Sequence, residues 1–79
     1  MRIVKEIVNP DFRLTIFSWN GKYLLKFEQG NLEQTYKVDE MDLTGPEDLE
    51  VLLTTTFFTQ VNEQFGRMGS ILYNGLSAL

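Results

Sequence analysis

The chain predicts an α+β domain in which a four-stranded antiparallel meander is followed by one long or kinked C-terminal helix packed on one face. Three observations predict it. Residues 2–38 hold runs rich in β-branched and aromatic residues, separated by the turn signals Asn9-Pro10-Asp11, Asn20-Gly21 and Gln29-Gly30-Asn31. From Pro46 onward the period changes: Leu53, Phe57, Val61, Phe65, Met68, Leu72 and Leu76 recur at steps of four and three. A length of 79 residues suits one sheet and one covering layer. The expected organisation is a single domain over 1–79, with a sheet in 2–38, an acidic connection in 39–45 and a helical region in 46–76.

Ile3–Val8 reads as the first strand. Its register is open. A two-residue loop after it sends Ile3, Lys5 and Ile7 inward, and a three-residue loop sends Val4, Glu6 and Val8 inward. Either choice puts one charge on the core face, as expected of an edge strand. The next turn is better defined, because Asn20 and Gly21 both tolerate the φ > 0 of a two-residue type I′ turn. Trp19 then faces Lys22, Phe17 faces Leu24, Leu14 faces Phe27 and Arg13 faces Glu28. Alternation sorts Phe12, Leu14, Ile16, Tyr23, Leu25 and Phe27 onto a core face. A two-residue turn at Gln29-Gly30 or at Gly30-Asn31 adds Leu32, Gln34, Tyr36 and Val38 to that face. The alternative would bury Glu33, Thr35 and Lys37.

The opposite face carries Arg13, Thr15, Phe17, Trp19, Lys22, Leu24, Lys26 and Glu28. Phe17, Trp19 and Leu24 adjoin one another near Asn20-Gly21. Three adjacent apolar residues on a sheet imply a cover. Either another part of this chain supplies it, or these residues form a contact surface.

Segment 39–50 holds six acids, Asp39, Glu40, Asp42, Glu47, Asp48 and Glu50. Their spacing lacks the alternating ligands and central glycine of a calcium loop. Helix-start chemistry accounts for several of them: Thr44-Gly45-Pro46-Glu47 fits a capping box, and the acids complement the positive helix end. Leu49 and Leu52 sit off the apolar stripe, and Thr54-Thr55-Thr56 is a weak helical run where a bend is expected. Gly66 and Gly69 predict a kink or break, with a last short helix ending near Asn74-Gly75. An unbroken helix over 46–75 would be ~45 Å long, whereas strands of this kind span ~20–27 Å. The stripe therefore outruns one sheet. Its distal part either folds back over Phe17, Trp19 and Leu24 or reaches a second subunit.

Composition narrows function. There is no Cys and no His, which removes disulfides, thiolate chemistry, the commonest metal ligand and the commonest general base. No catalytic, cofactor or metal site is expected. Net charge is −4, split into +2 over residues 1–37 and −6 over residues 38–79. The first residues lack a secretory apolar region, and no apolar run approaches a membrane span, so a cytoplasmic location is expected. Gly66-Arg67-Met68-Gly69 matches the GxxG of the KH module, which requires a further strand after it.

The order of elements, a four-stranded meander and then a helix, resembles the ββββα repeat of PUR-type and Whirly-type nucleic-acid-binding proteins. That resemblance implies an open sheet face for single strands, here Arg13, Phe17, Trp19, Lys22, Lys26 and Lys37, and in the PUR case a dimer formed by helix exchange. The net acidic charge works against phosphate binding. The text IFSWNGKYLLKFEQG is also similar to small uncharacterised single-domain proteins of Bacteroidetes, which implies a bacterial, cytoplasmic protein and no particular activity. The leading expectation is a non-enzymatic domain that forms a homodimer or binds another protein. Its expected interaction surface is Phe17, Trp19, Leu24, Lys22, Phe65, Met68 and Leu72.

Overall fold

Asn20 and Gly21 adopt φ of 53° and 76°, the left-handed backbone that a two-residue hairpin turn demands. The structure is a computed structural model and describes residues 1–79. This turn joins β2 (Arg13–Trp19) to β3 (Lys22–Gln29). Trp19 stands opposite Lys22, Phe17 opposite Leu24 and Leu14 opposite Phe27, the register expected from the turn. Gly30, with φ 58°, and Asn31 lead into β4 (Leu32–Asp39), so that Gln29 faces Leu32. β1 (Arg2–Val8) completes one antiparallel sheet of order β1-β2-β3-β4.

The register left open for β1 is settled by its turn. Asn9 and Phe12 exchange backbone hydrogen bonds of 2.9 and 3.2 Å, leaving Pro10-Asp11 as the two-residue loop. The Asp11 N–H donates to Asn9 Oδ1 at 2.9 Å and tightens it. Ile7 and Lys5 consequently face the core side, opposite Leu14 and Ile16. A bulge at Val4 then interrupts the alternation and sets Ile3 opposite Phe17, on the other face. Arg2, opposite Ser18, and Lys5, opposite Ile16, are the charges of β1 on the helix side, and Lys5 reaches Glu50 at 3.3 Å.

The helical region divides in two. A 3-10 turn at Glu40–Asp42 follows the sheet, α1 spans Asp48–Leu52, and α2 spans Thr55–Leu76. The break between them falls at the start of the threonine run. Thr54 is extended, and its Oγ1 accepts from the Phe57 N–H at 3.1 Å, so the threonine that weakens a helix interior serves as an N-cap. The expected kink at Gly66–Gly69 is absent, and α2 continues through both glycines. Their penalty of ~1 kcal/mol each is offset by packing, since Phe65 lies in the core and Met68 packs against it. Gly69 also lies close to the sheet: a Cβ there would stand 3.6 Å from Leu32 Cδ1.

Both helices lie on one side of the sheet. Phe12, Leu14, Ile16, Tyr23, Leu25 and Phe27 from the strands meet Leu49 of α1 and Val61 and Phe65 of α2. Phe27 is the hub, with the rings of Phe12, Tyr36, Phe57 and Phe58 at centroid distances of 5.3, 5.8, 5.9 and 6.3 Å. Gln34, buried on the same face, donates from Nε2 to the Val61 carbonyl at 3.0 Å and accepts from Tyr36 Oη at 2.6 Å. A polar side chain on the core face thus has both ends bonded, its amide N–H holding α2 to β4 and its oxygen held by Tyr36 of the same strand.

Two substitutions test this account by chemical and thermal denaturation. Phe27→Ala should lose ~3–5 kcal/mol, close to the whole stability of a small domain, and leave the chain largely unfolded. Gly66 is exposed, helical and free of neighbours within 4 Å. Gly66→Ala should therefore stabilise by ~1 kcal/mol and raise Tm by ~4–8 °C; a lower Tm would contradict a continuous helix there.

Candidate functional site

With both helices on one side, the other face of the sheet has no second layer. On it Ile3, Phe17 and Leu24 stand in one row across β1, β2 and β3, and Lys37 of β4 ends the row. Trp19, two residues along β2 from Phe17, extends the apolar patch toward the Asn20-Gly21 turn. Ile3 is 55% exposed and Trp19 50%, while Phe17 and Leu24 are half-buried by their neighbours. α2 does not fold back over Phe17, Trp19 and Leu24, so self-coverage by the distal helix is excluded. Ile3 escaped the sequence reading because only the bulge at Val4 brings it to this face. A β1 register without that bulge turns it inward.

Two of the four positive charges of the same face are engaged in ion pairs. Arg13 Nη2 lies 3.0 Å from Glu6 Oε1, and Lys26 Nζ lies 3.5 Å from Glu33 Oε1. Lys22 stands opposite Asp39 as well as Trp19. Of the four cations considered for a nucleic-acid face beside Phe17 and Trp19, Arg13 and Lys26 are engaged, and Lys22 and Lys37 have no ion pair within 4.0 Å.

The residues expected from the helix are placed unequally. Phe65 is 1% exposed and belongs to the core, so it offers no contact surface. Met68 is half-buried against the core. Leu72 is exposed, together with Ile71, Tyr73 and Leu76. α2 has 22 residues, a length of ~33 Å. Past Gly69 beside Leu32, every residue from Ser70 to Leu79 is exposed. The stripe does outrun the sheet, as the length argument expects, and the longest dimension of the molecule is 47 Å. Beside this helix an open groove of about 680 Å³ follows β4, lined by Gln34, Tyr36, Phe57, Gln60, Arg67 and Met68 among others.

The acids of 39–50 do not gather into a ligand set. Glu50 meets Lys5, and Asp48 Oδ2 accepts from both the N–H and the Oγ1 of Thr44, each at 2.8 Å. Thr44 and an acid do tie down the helix start, with Asp48 in the place expected of Glu47. These two hydrogen bonds to the charged form hold the Asp48 carboxyl below its ordinary value of 3.8. No helix is long and apolar enough to cross a membrane. No family model, curated protein or solved structure matches the chain.

The lowered carboxyl sets a pH dependence. A folded-state value below the unfolded one adds stability that is present above 3.8 and is lost as the pH falls through the lowered value. Asp48→Asn should remove that dependence, so Tm measured from pH 6 down to pH ~2 should converge for the two proteins in acid. A constant Tm difference across the range would rule this out.

Proposed function

We propose that the protein is a non-enzymatic, cytoplasmic interaction domain that associates with itself or with another protein through its uncovered sheet face. The observation that carries the reading is the contiguous patch of Ile3, Phe17, Trp19 and Leu24, three strands wide and free of any covering element. Apolar surface gathered in this way is stabilised by removal from water, at ~25 cal/mol per Å² buried. Trp19 is suited to be the anchor, being large, half-exposed and next in the patch to Phe17, with Lys22 opposite it. The exposed end of α2, with Leu72, Tyr73 and Leu76, is a second apolar surface, continuing the helix beyond Phe65 and Met68, which are held in or against the core.

The competing reading is weak single-strand binding of the PUR or Whirly kind on the same rings, with Lys22, Lys26, Lys37 and Arg13 meeting phosphates. It is supported by the closeness of Trp19 to Lys22. The ion pairs of Arg13 and Lys26 and the net charge of −4 oppose it. The two readings separate by salt: phosphate contacts weaken steeply as salt rises, and an apolar contact does not.

Sedimentation across a range of concentrations is the direct test. The wild-type chain should give a mass above 9.2 kDa that is insensitive to salt. Trp19→Ala should keep its far-UV spectrum while the face contact weakens by ~2 kcal/mol or more, about thirtyfold in Kd. An unchanged mass and Kd in that variant would overturn the reading, and unfolding of the variant would place Trp19 in the core.

A further inference from the structure

The two edges of the sheet are unlike. β1 carries the bulge at Val4, which disrupts its outer hydrogen-bonding row and blunts it against pairing. β4 runs from Leu32 to Asp39 without bulge or proline, in unbroken register with β3. Its free backbone groups can be assigned. In an antiparallel ladder, residues alternate between bonding the neighbour and pointing away from it. The Glu40 N–H donates to the Gly21 carbonyl at 3.0 Å. The even-numbered residues of β4 therefore bond β3, and Glu33, Thr35 and Lys37 present their N–H and C=O groups outward.

The side chains on this open edge are arranged symmetrically in sequence: Glu33 and Lys37 lie equally far from Thr35, with opposite charge. We propose that β4 pairs with β4 of a second copy of this chain, antiparallel about a two-fold axis at Thr35, to form one continuous eight-stranded sheet. Thr35 then faces the partner's Thr35, and Glu33 faces the partner's Lys37 at both ends. All three pairs use the outward backbone groups, so both chains satisfy their free edge at once. Other two-fold registers are worse. Centring on Glu33 or on Lys37 sets like charges together, centring on Tyr36 sets Glu33 against the partner's Asp39, and centring on Gln34 leaves Glu33 and Lys37 without each other. Opposite charges directly across strands stabilise a pair, and like charges oppose it.

The helix-side residues agree with the same axis. Leu32 comes beside the partner's Val38 and Gln34 beside the partner's Tyr36, next to the groove under Arg67 and Met68. The exposed end of α2 leaves the sheet at Leu32, the corner at which the partner's strand arrives. Leu72 and Leu76 are thereby given a surface to cover. This contact goes beyond the face patch and is separate from it, since Ile3, Phe17 and Trp19 lie on β1 and β2, away from the paired edge.

The test exploits the absence of cysteine from the chain. Facing residues of a bonded antiparallel pair have Cα atoms ~5.5 Å apart, within disulfide reach. Thr35→Cys should give a disulfide-linked dimer under mild oxidation. Glu33→Cys should not, because its own equivalent would lie roughly 14 Å away along the strand. E33K and K37E should each weaken the dimer about tenfold or more, whereas an equimolar mixture of E33K with K37E should restore it, which also shows that both variants fold. The Thr35→Cys cross-link should form equally well when Trp19→Ala is added, although the face contact is weakened in that background. If the chain associates but Thr35→Cys fails to cross-link, or E33K and K37E leave association unchanged, the edge pairing is wrong and the face contact stands by itself. If the wild-type chain is a single 9.2 kDa species at all concentrations, the edge pairing falls and so does self-association through the face, leaving only a different protein as its partner.

Discussion

Phe27 joins the two layers, and the rest of the structure depends on that junction. It lies at the middle of the sheet's core face and receives rings from Phe12 just before β2, from β4 and from α2 at edge-on or tilted angles. Aromatic pairs of this geometry add to simple burial, and they fix where α2 crosses the strands. Gln34 then fixes how far along β4 the helix sits, through its bond to the Val61 carbonyl. With α2 located in both directions, its remaining turns have no sheet left beneath them. The overhang of Ser70–Leu76 is thus a consequence of where the aromatic cluster stands, given the helix length.

The same economy explains the bare face. A chain this short has one helical layer to give, and burial of a four-stranded sheet on one side uses all of it. What the outer face then carries decides how it behaves in water. Two of its four positive charges are paired on their own face, Arg13 with Glu6 and Lys26 with Glu33, near the Asn9 and Gly30 end, while Lys22 and Lys37 border the apolar residues without an ion pair. Its apolar residues gather at the other end, around Trp19. A surface divided in this way favours a contact made by exclusion of water over one made by long-range attraction, which is why a protein partner is the better reading than a polyanion.

Much of this was legible in the sequence, for one reason: Asn20-Gly21 sets a parity that alternation carries outward to every residue of β2, β3 and β4. Phe12, Leu14, Ile16, Tyr23, Leu25 and Phe27 follow from that turn alone. Where parity is interrupted, legibility ends. No composition rule places a bulge at Val4: a two-residue loop turns Ile3 inward with Lys5 and Ile7, a three-residue loop turns all three outward, and neither sets Ile3 on the opposite face from Lys5. Helix breaks were read from propensity, which favoured Gly66–Gly69 over Leu53-Thr54 as the principal interruption. The structure reverses this because a cap at Thr54 is a local gain, whereas a break at Gly66 would withdraw Phe65 from the core. Phe65 was offered as a contact residue on the same mistaken geometry, since the helix leaves the sheet one turn later than the glycines suggest.

The bulge at Val4 links these features. It shifts β1 by one residue, so Lys5 stays on the helix side to meet Glu50 while Ile3 moves to the outer face to complete a row with Phe17 and Leu24. Were β1 regular, Val4 would stand opposite Phe17 in place of Ile3, and β1 would present an unbroken row of backbone donors and acceptors. The bulge instead keeps Val4 on the helix side with Lys5 and Leu49, sets Ile3 beside Phe17 and closes one edge. The sheet is left with a single regular edge, β4, and an edge that can pair in only one place can form a closed pair, whereas two open edges would extend without limit. The asymmetry of the edges, as much as the charges on β4, is what makes a discrete assembly the expected outcome.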